Sequence, residues 1–217
     1  MSSRVSSPDI TTHATNLAFS RLASDEQLSR AVDALEAHGI RAIVVETREQ
    51  ALATVSKMLP TGAQIYDPPS LTIRQIGLLA ELDARKDFGR VRLRLQGLDC
   101  QTQQGEIRRL SSTPDVVVGS VHAITEQGQV MLASASGSQM GSAVFGAGLV
   151  IWVVGTQKIV PTLEEGFRRI QEYSYPLEDE RTQRVYGRGS AINKILIVNG
   201  EQPGRITVIL VKQNLGF

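Results

Sequence analysis

Three apolar segments between residues 115 and 160 constrain most strongly what this chain can fold into. They cover residues 115–124, 130–134 and 149–154, and the first and third are rich in valine and isoleucine. Near-continuous runs of these residues are typical of strands that are buried on both faces, as in the central sheet of an α/β protein. We therefore predict that all three segments are strands of a mostly buried sheet.

Helix-start signals alternate with short apolar segments in the first part of the chain. Ser24, with Gln27 three residues later, has the spacing of a capping box, and Thr47 is the N-cap candidate of a second helix. Apolar segments at residues 40–45 and 63–66 follow the two predicted helices. This alternation predicts an α/β domain with a mixed sheet.

Further elements are predicted from local signals. A rigid Asp67-Pro68-Pro69-Ser70 connection at the carboxyl edge of the sheet precedes a helix over residues 71–82. Thr162 is the N-cap of a helix that we expect to end near Pro176, and a separate charged helix follows over residues 177–186. The last strands are predicted at residues 194–198 and 205–211.

The composition is that of a soluble globular protein. Of 217 residues, 41% are hydrophobic and 21% are charged, with a net charge of +1. We expect one domain over residues 21–217, preceded by a Ser- and Thr-rich flexible tail over residues 1–20 that includes His13. Because the basic residues are scattered, nucleic-acid binding is not expected.

Cysteine and histidine usage argues against a resident metal, cluster or other cofactor. Cys100 is the single cysteine, and the three histidines lack metal-ligand spacing. No apolar run reaches the length needed to cross a bilayer, and residues 1–20 lack the apolar core of a secretion signal. The expected location is the cytoplasm, without membrane association.

Small and polar residues follow two of the predicted strands and are candidates for binding an anionic ligand. Gly137, Ser138 and Gln139 lie between a strand and a helix, where free backbone N–H groups bind phosphate or carboxylate. The alternative is that small residues here only allow close packing of a helix on the sheet. Gly155, Gln157 and Lys158 follow the most apolar strand, where a ligand would meet them in an open α/β sheet. For Lys158 the alternative is an ordinary surface lysine.

The first apolar segment and the turn after it supply the remaining candidates. Glu126 could act as a nucleophile or general base if its pKa is tuned, although most glutamates in turns are simply solvated. Ser120 and His122 are assigned to the ligand site. A hydrogen-bonded core histidine is the alternative for His122.

Several motifs resemble the lactate-utilisation (LUD) domain family over residues 22–217. They are DVVVGSVHAITEQGQV (residues 115–130), ASGSQ (135–139), VIWVVGTQKIV (150–160), YPLEDER (175–181) and PGRIT (203–207). The resemblance implies a three-layer, Rossmann-like fold akin to those of sugar-phosphate isomerases, glucosamine-phosphate deaminases and CoA transferases. In the CoA transferases, a glutamate near a turn glycine is the nucleophile. The resemblance also implies a role in oxidising lactate to pyruvate beside iron–sulfur subunits, which would carry the electrons.

Three hypotheses for function follow. The first is a LUD-type protein that binds a small anionic or phosphorylated metabolite in lactate or related organic-acid utilisation. The second is a non-catalytic assembly subunit that docks on an iron–sulfur oxidoreductase, and the third is an isomerase or acyl transferase that uses Glu126. The sequence leaves open whether the chain is an enzyme and whether it forms a homodimer.

Overall fold

The computed structural model describes residues 15–217. Its helices are α1 (Asp25–Ala37), α2 (Arg48–Met58), α3 (Leu71–Gln75), α4 (Leu78–Ala84), α5 (Val91–Gln96), α6 (Gln104–Ser112), α7 (Leu163–Arg169) and α8 (Tyr175–Tyr186). Its strands are β1 (Arg41–Val45), β2 (Gln64–Tyr66), β3 (Gly89–Arg90), β4 (Val116–Gly119), β5 (Ala123–Thr125), β6 (Val130–Ser134), β7 (Leu149–Gly155), β8 (Ile159–Val160), β9 (Lys194–Val198) and β10 (Ile206–Val211).

A six-stranded sheet forms the centre of the molecule. Its strand order is β1-β10-β7-β4-β2-β3, and every neighbouring pair is parallel. The middle strands β10 and β7 are paired from Ile206 opposite Val150 to Val211 opposite Gly155. Valine and isoleucine dominate these strands because both faces of the sheet are covered.

A four-stranded sheet lies beside the central one, in the order β8-β5-β6-β9. Strand β6 runs antiparallel to β5 and β9, whereas β8 runs parallel to β5. The antiparallel pairing that a mixed sheet requires is therefore in this second sheet.

Alternating side chains of the central strands belong to different hydrophobic cores. Val116 and Val118 pack into the core that includes residues of α2, α3 and α4. Val117 packs into the opposite core, with α1 and the second sheet. The far face of the second sheet, represented by Met131, packs with Ile170 at the end of α7. The predicted α/β fold, a layered sheet flanked by helices, is confirmed.

Capping residues explain where the first two helices begin. The Ser24 hydroxyl accepts the Gln27 backbone N–H at 3.3 Å, and the Gln27 side chain accepts the Ser24 N–H at 3.1 Å. Thr47 caps α2 by accepting the Gln50 N–H at 3.3 Å. Both predicted N-caps are confirmed.

The single strand predicted over residues 115–124 is wrong, because the structure divides it. Strand β4 ends at Gly119 in the central sheet, and the chain re-enters a strand at Ala123 in the second sheet. Periodicity does not reveal this break, since both strands are completely buried and equally apolar. The residues between them, Ser120 to His122, are thereby freed to face a cavity.

Two helix boundaries also differ from the prediction. Gly77, with φ of +82°, separates α3 from α4 within the single helix expected over residues 71–82. Pro176 does not end a helix, because α7 continues through a π-helical stretch, Ile170–Ser174, directly into α8. Proline is tolerated there since it lies in the first turn of α8.

The end of the predicted tail contains a short 3₁₀ helix, Leu17–Ser20. Just before it, the Asn16 side chain donates to Glu172 Oε2 at 2.8 Å. His13 and the rest of residues 1–14 lie outside the described residues. Between residues 15 and 217, no helix is long and apolar enough to span a membrane.

Candidate functional site

A cavity of about 780 Å³ lies where strands β2, β4 and β7 of the central sheet end. The next strand of the central sheet after β2 is β3, on its outer side, whereas the next one after β4 is β7, on the opposite side, which the chain reaches after passing through β5 and β6 of the second sheet. Between two such neighbouring strands the connecting segments leave a crevice, which is where open α/β sheets bind ligands. Segments from both sheets and from α8 complete the walls.

Lys158 lies at this cavity and its side chain is almost completely buried, with the residue 2% exposed. Its Nζ is 3.0 Å from the Val121 carbonyl oxygen, 3.1 Å from Ser120 Oγ and 3.3 Å from Thr72 Oγ1. Among residues 15–217 no carboxylate forms an ion pair with it. Burial, and then the nearby charge of Arg169, hold the pKa of Lys158 well below its ordinary value.

Arg169 is a second buried cation, behind the wall of the cavity. It is 0% exposed and donates to the backbone carbonyls of His122 and Gln157 and to Ser174 Oγ. The bond to Gln157 measures 3.3 Å and the bond to Ser174 measures 3.0 Å. Arg169 therefore fixes the segments after β4 and β7 relative to each other and to the π-helical stretch.

His122 lines the cavity as a neutral imidazole. The Ala133 backbone N–H donates to its Nδ1 at 3.1 Å, so the ring proton is on Nε2. Burial, together with the charges of Lys158 and Arg169, lowers the pKa of His122 to about 3. The ring can therefore donate a hydrogen bond from Nε2 to a ligand oxygen at neutral pH.

Arginines from several elements surround the mouth of the cavity. Arg74 comes from α3, Arg92 from α5, and Arg181 and Arg188 from α8 and the segment after it. The one acidic side chain among the lining residues that the structure describes is Glu178, which pairs with Arg181 at 2.6 Å. The cavity is therefore electropositive and suited to an anion.

A buried aspartate orients one of these arginines. Asp67, directly after β2, is 0% exposed and lies 3.4 Å from Arg92 and 3.2 Å from Arg90. Arg90 and Arg92 share the Asp67 carboxylate, so Arg92 still has N–H groups that can donate to another partner.

The structure brings five of the predicted ligand-binding residues to this cavity. They are Ser120, His122, Ser138, Gln139 and Lys158. Gln139 Oε1 accepts hydrogen bonds from Ser134 at 3.3 Å and from Ser138 at 3.4 Å, which orders the segment after β6. Thus the three segments that follow β4, β6 and β7 meet around one cavity, as the positions of these residues after predicted strands indicate.

The other three predicted residues, Gly137, Gly155 and Gln157, are not among the residues that line the cavity. Gly137 has φ of +82° and donates its N–H to Ser134 Oγ at 2.9 Å. Gln157 points away from the cavity lining and donates to the Leu215 carbonyl at 2.8 Å. A Cβ at Gly155 would lie 2.7 Å from Leu215 N, so glycine lets the C-terminal segment pack closely here.

Glu126 is not among the residues that line the cavity, and its partners are on α1. Arg30 Nε lies 2.6 Å from Glu126 Oε2, and Gln27 Nε2 donates to Oε1 at 2.9 Å. The hydrogen bond from Arg30, followed by that from Gln27, lowers the pKa of the Glu126 carboxyl group. This carboxylate is a structural link between the β5–β6 turn and the start of α1.

Sequence reasoning missed the arginines and Thr72. Arg169 follows Arg168 in the last turn of α7, where two basic residues are expected to be solvated. The position of Thr72 could have been inferred, because it comes two residues after the loop at residues 67–70, which is predicted to lie at the carboxyl edge of the sheet. Among the residues that the structure describes, no group of three or more histidine, cysteine, aspartate or glutamate side chains is arranged to hold a metal ion.

Comparisons with known proteins agree with this architecture. The structure is similar to the 1.70 Å crystal structure of a DUF162 family protein from Deinococcus radiodurans, with a TM-score of 0.55 and 17% sequence identity. That match covers 88% of this chain and 99% of the other and shows a shared fold. No curated protein sequence matches the chain. The sequence profile of the LUD domain matches residues 28–211, and the chain therefore belongs to the LUD domain family.

Proposed function

We propose that this chain binds a small anionic metabolite, carboxylated or phosphorylated, in the cavity at the carboxyl edge of its central sheet. Membership of the LUD domain family supports a role related to lactate utilisation.

The observation that carries the proposal is the imbalance of charge around the cavity. Four arginines, Arg74, Arg92, Arg181 and Arg188, line it within the described residues, against the single carboxylate of Glu178. Neither Arg74 nor Arg188 forms an ion pair with any described residue. Clustered cations repel one another, and an anionic ligand relieves that repulsion while gaining charge-assisted hydrogen bonds.

Neutral donors among the lining residues complement these charges. His122 offers its Nε2 proton, and the Ser120 and Ser138 hydroxyls lie on neighbouring segments. Small-molecule sites are typically preformed cavities that contain a few precisely positioned polar groups. These neutral donors are suited to a hydroxyl or carbonyl oxygen of a ligand, and the arginines to its carboxylate or phosphate.

The surroundings of Glu126 do not favour the alternative in which it acts as a nucleophile or general base. Its carboxylate is committed to Arg30 and Gln27, and the lowered pKa makes it a poorer base. Docking on iron–sulfur subunits and formation of a homodimer stay predictions.

Isothermal titration calorimetry with lactate, pyruvate, a sugar phosphate and a CoA ester tests the proposal. We expect at least one of these anions to bind, and Arg74→Gln to weaken binding about tenfold, the effect of losing roughly 1.4 kcal/mol. Arg108→Gln is the matched control, because Arg108 is a helical arginine in α6 outside the cavity. If no anion binds the folded protein, or if both variants have the same effect, the proposal fails.

A further inference from the structure

We propose that Lys158 is the nucleophile of this cavity and that its Nζ forms an imine with the carbonyl carbon of a bound oxo acid. The inference rests on the proposed function, because the arginines at the mouth would hold the carboxylate of that acid. It goes further by naming the substrate class and the reacting atom.

The hydrogen-bond partners of Lys158 Nζ are all uncharged oxygen atoms. Thr72 Oγ1 donates its own hydrogen to the Leu215 carbonyl at 3.3 Å, so it can only accept from Lys158 Nζ. The Val121 carbonyl also accepts from Nζ, at 3.0 Å. The third neighbour, Ser120 Oγ, accepts from Nζ at 3.1 Å. All three acceptors are neutral, so a charged Lys158 would have no counter-ion among the residues that the structure describes.

The surroundings of Lys158 disfavour its charged form. The residue is 2% exposed, and the nearby buried charge is another cation, Arg169, and not a carboxylate. Desolvation beside a second cation is an established way in which proteins activate a lysine for imine formation. The lowered pKa of Lys158 agrees with this environment.

His122 is placed to assist at the carbonyl oxygen. It lines the same cavity, and its neutral ring presents Nε2–H while Nδ1 is occupied by the Ala133 N–H. A hydrogen bond from Nε2 to the carbonyl oxygen makes the carbonyl carbon more electrophilic. The carboxylate and the carbonyl of one small molecule would thus be bound by different groups of the same cavity.

The step balances without an oxidant or reductant. The Nζ lone pair attacks the carbonyl carbon, a C–N bond forms, and the carbinolamine then loses its oxygen as water. Both hydrogens of the neutral amine leave with that oxygen, and a C=N bond remains. Hydrolysis by the reverse path regenerates the lysine.

Reductive trapping tests the inference on the unmodified full chain. The protein is incubated with pyruvate and sodium cyanoborohydride near neutral pH, and the adduct is located by intact-mass measurement and peptide mapping. We expect one reduced adduct per chain, at Lys158, with labelling at least about tenfold above that of Lys57, because each unit by which the pKa is lowered raises the neutral fraction about tenfold. Lys57 is an exposed lysine of α2 outside the cavity.

Two variants extend this test. Lys158→Met should lose the adduct, and Lys57→Met, the matched control, should keep it. The wild-type peptide map is decisive by itself, so the result holds even if Lys158→Met does not fold. Labelling of Lys158 no greater than that of Lys57 would overturn the inference.

Calorimetry with lactate separates this inference from the proposed function, because lactate has the carboxylate of pyruvate but no ketone carbonyl. If lactate and pyruvate bind and pyruvate leaves no adduct at Lys158, the imine is refuted and anion binding stands. If none of lactate, pyruvate, the sugar phosphate and the CoA ester binds and no adduct forms, both proposals fall.

Discussion

Lys158 Nζ and Ser120 Oγ lie 3.1 Å apart although 38 residues separate them in the sequence. The contact joins the end of β7 to the end of β4, two neighbouring strands of the central sheet. It also places a buried amine at the crevice where the connections of an α/β sheet diverge. Ser120 and Lys158 thus hold together the two strand ends that border the cavity.

Replacing Arg169 should destabilise the fold far more than replacing its neighbour Arg168. Arg169→Met leaves two buried carbonyl acceptors without a partner, so we expect the free energy of unfolding to fall by about 3 kcal/mol. Arg168 is half exposed and pairs with Glu165 and Glu172 on the surface, so Arg168→Met should cost less than about 1 kcal/mol. Urea denaturation measures both, and equal losses would contradict the role assigned to Arg169.

His122 should make the protein less stable as the pH falls. Its pKa is about 3 in the folded state, against an ordinary value of 6.5, so between these values the unfolded chain binds a proton that the folded chain does not. The free energy of unfolding therefore decreases on acidification from pH 6.5, by up to about 1.4 kcal/mol per pH unit.

Urea denaturation between pH 4 and pH 7 measures this slope, and His122→Asn should reduce it. Asparagine can still accept the Ala133 N–H, so the variant changes titration more than packing. His38→Asn is the control, since His38 is exposed at the end of α1. An unchanged slope in His122→Asn would show that the imidazole titrates normally.

Adding a methyl group at Gly155 should disturb the packing of the C-terminal segment against β7. The new Cβ would lie 2.6 Å from Gln213 O and 2.7 Å from Leu215 N, which are backbone atoms that cannot move aside locally. We expect Gly155→Ala to lower the free energy of unfolding by about 1–3 kcal/mol. Gly105→Ala, in α6 with no atom within 4 Å of its Cβ, should instead add up to about 1 kcal/mol. Thermal denaturation of the two variants compares these effects.

Glu126→Gln should leave ligand binding unchanged and affect stability only slightly. The variant loses an ion pair to Arg30, whose side chain is 55% exposed, so the cost should be below about 1 kcal/mol. Because the folded pKa of Glu126 is lowered from 4.5, this small contribution is present above pH 4.5 and is lost as the pH falls through the folded pKa. Calorimetry of the variant with pyruvate checks the first statement, and weaker binding would restore a functional role for Glu126.

Much of the fold follows from local chemistry. Ser24 and Thr47 are N-caps because their side chains reach backbone N–H groups three residues ahead, and this geometry is the same in any sequence context. The apolar segment at residues 149–154 predicts β7 because a near-continuous run of valine and isoleucine is typical of a strand that is buried on both faces. The division of residues 115–124 at Gly119 is marked in the sequence only by Gly119, Ser120 and His122, and the apolar residues on both sides of them favour one continuous strand.

Only the site residues that follow a predicted strand could be identified from the sequence. Ser120, Ser138 and Lys158 follow apolar strands, and parallel strands bring their carboxyl ends together. Arg169 and Glu126 depend on partners far away in the sequence, His122 and Gln157 for the arginine and Arg30 for the glutamate. Such pairings are set by the tertiary fold, and no local pattern in the sequence encodes them.

The most direct test of the central claim is to map the binding site by nuclear magnetic resonance. Backbone amide shifts are followed while pyruvate is added to the isotopically labelled full chain. The account predicts that the largest shifts fall on the segments containing Ser120, His122 and Ser138, with those of Glu126 unchanged. Shifts that cluster around Glu126 and Arg30, or none at saturating pyruvate, would contradict it.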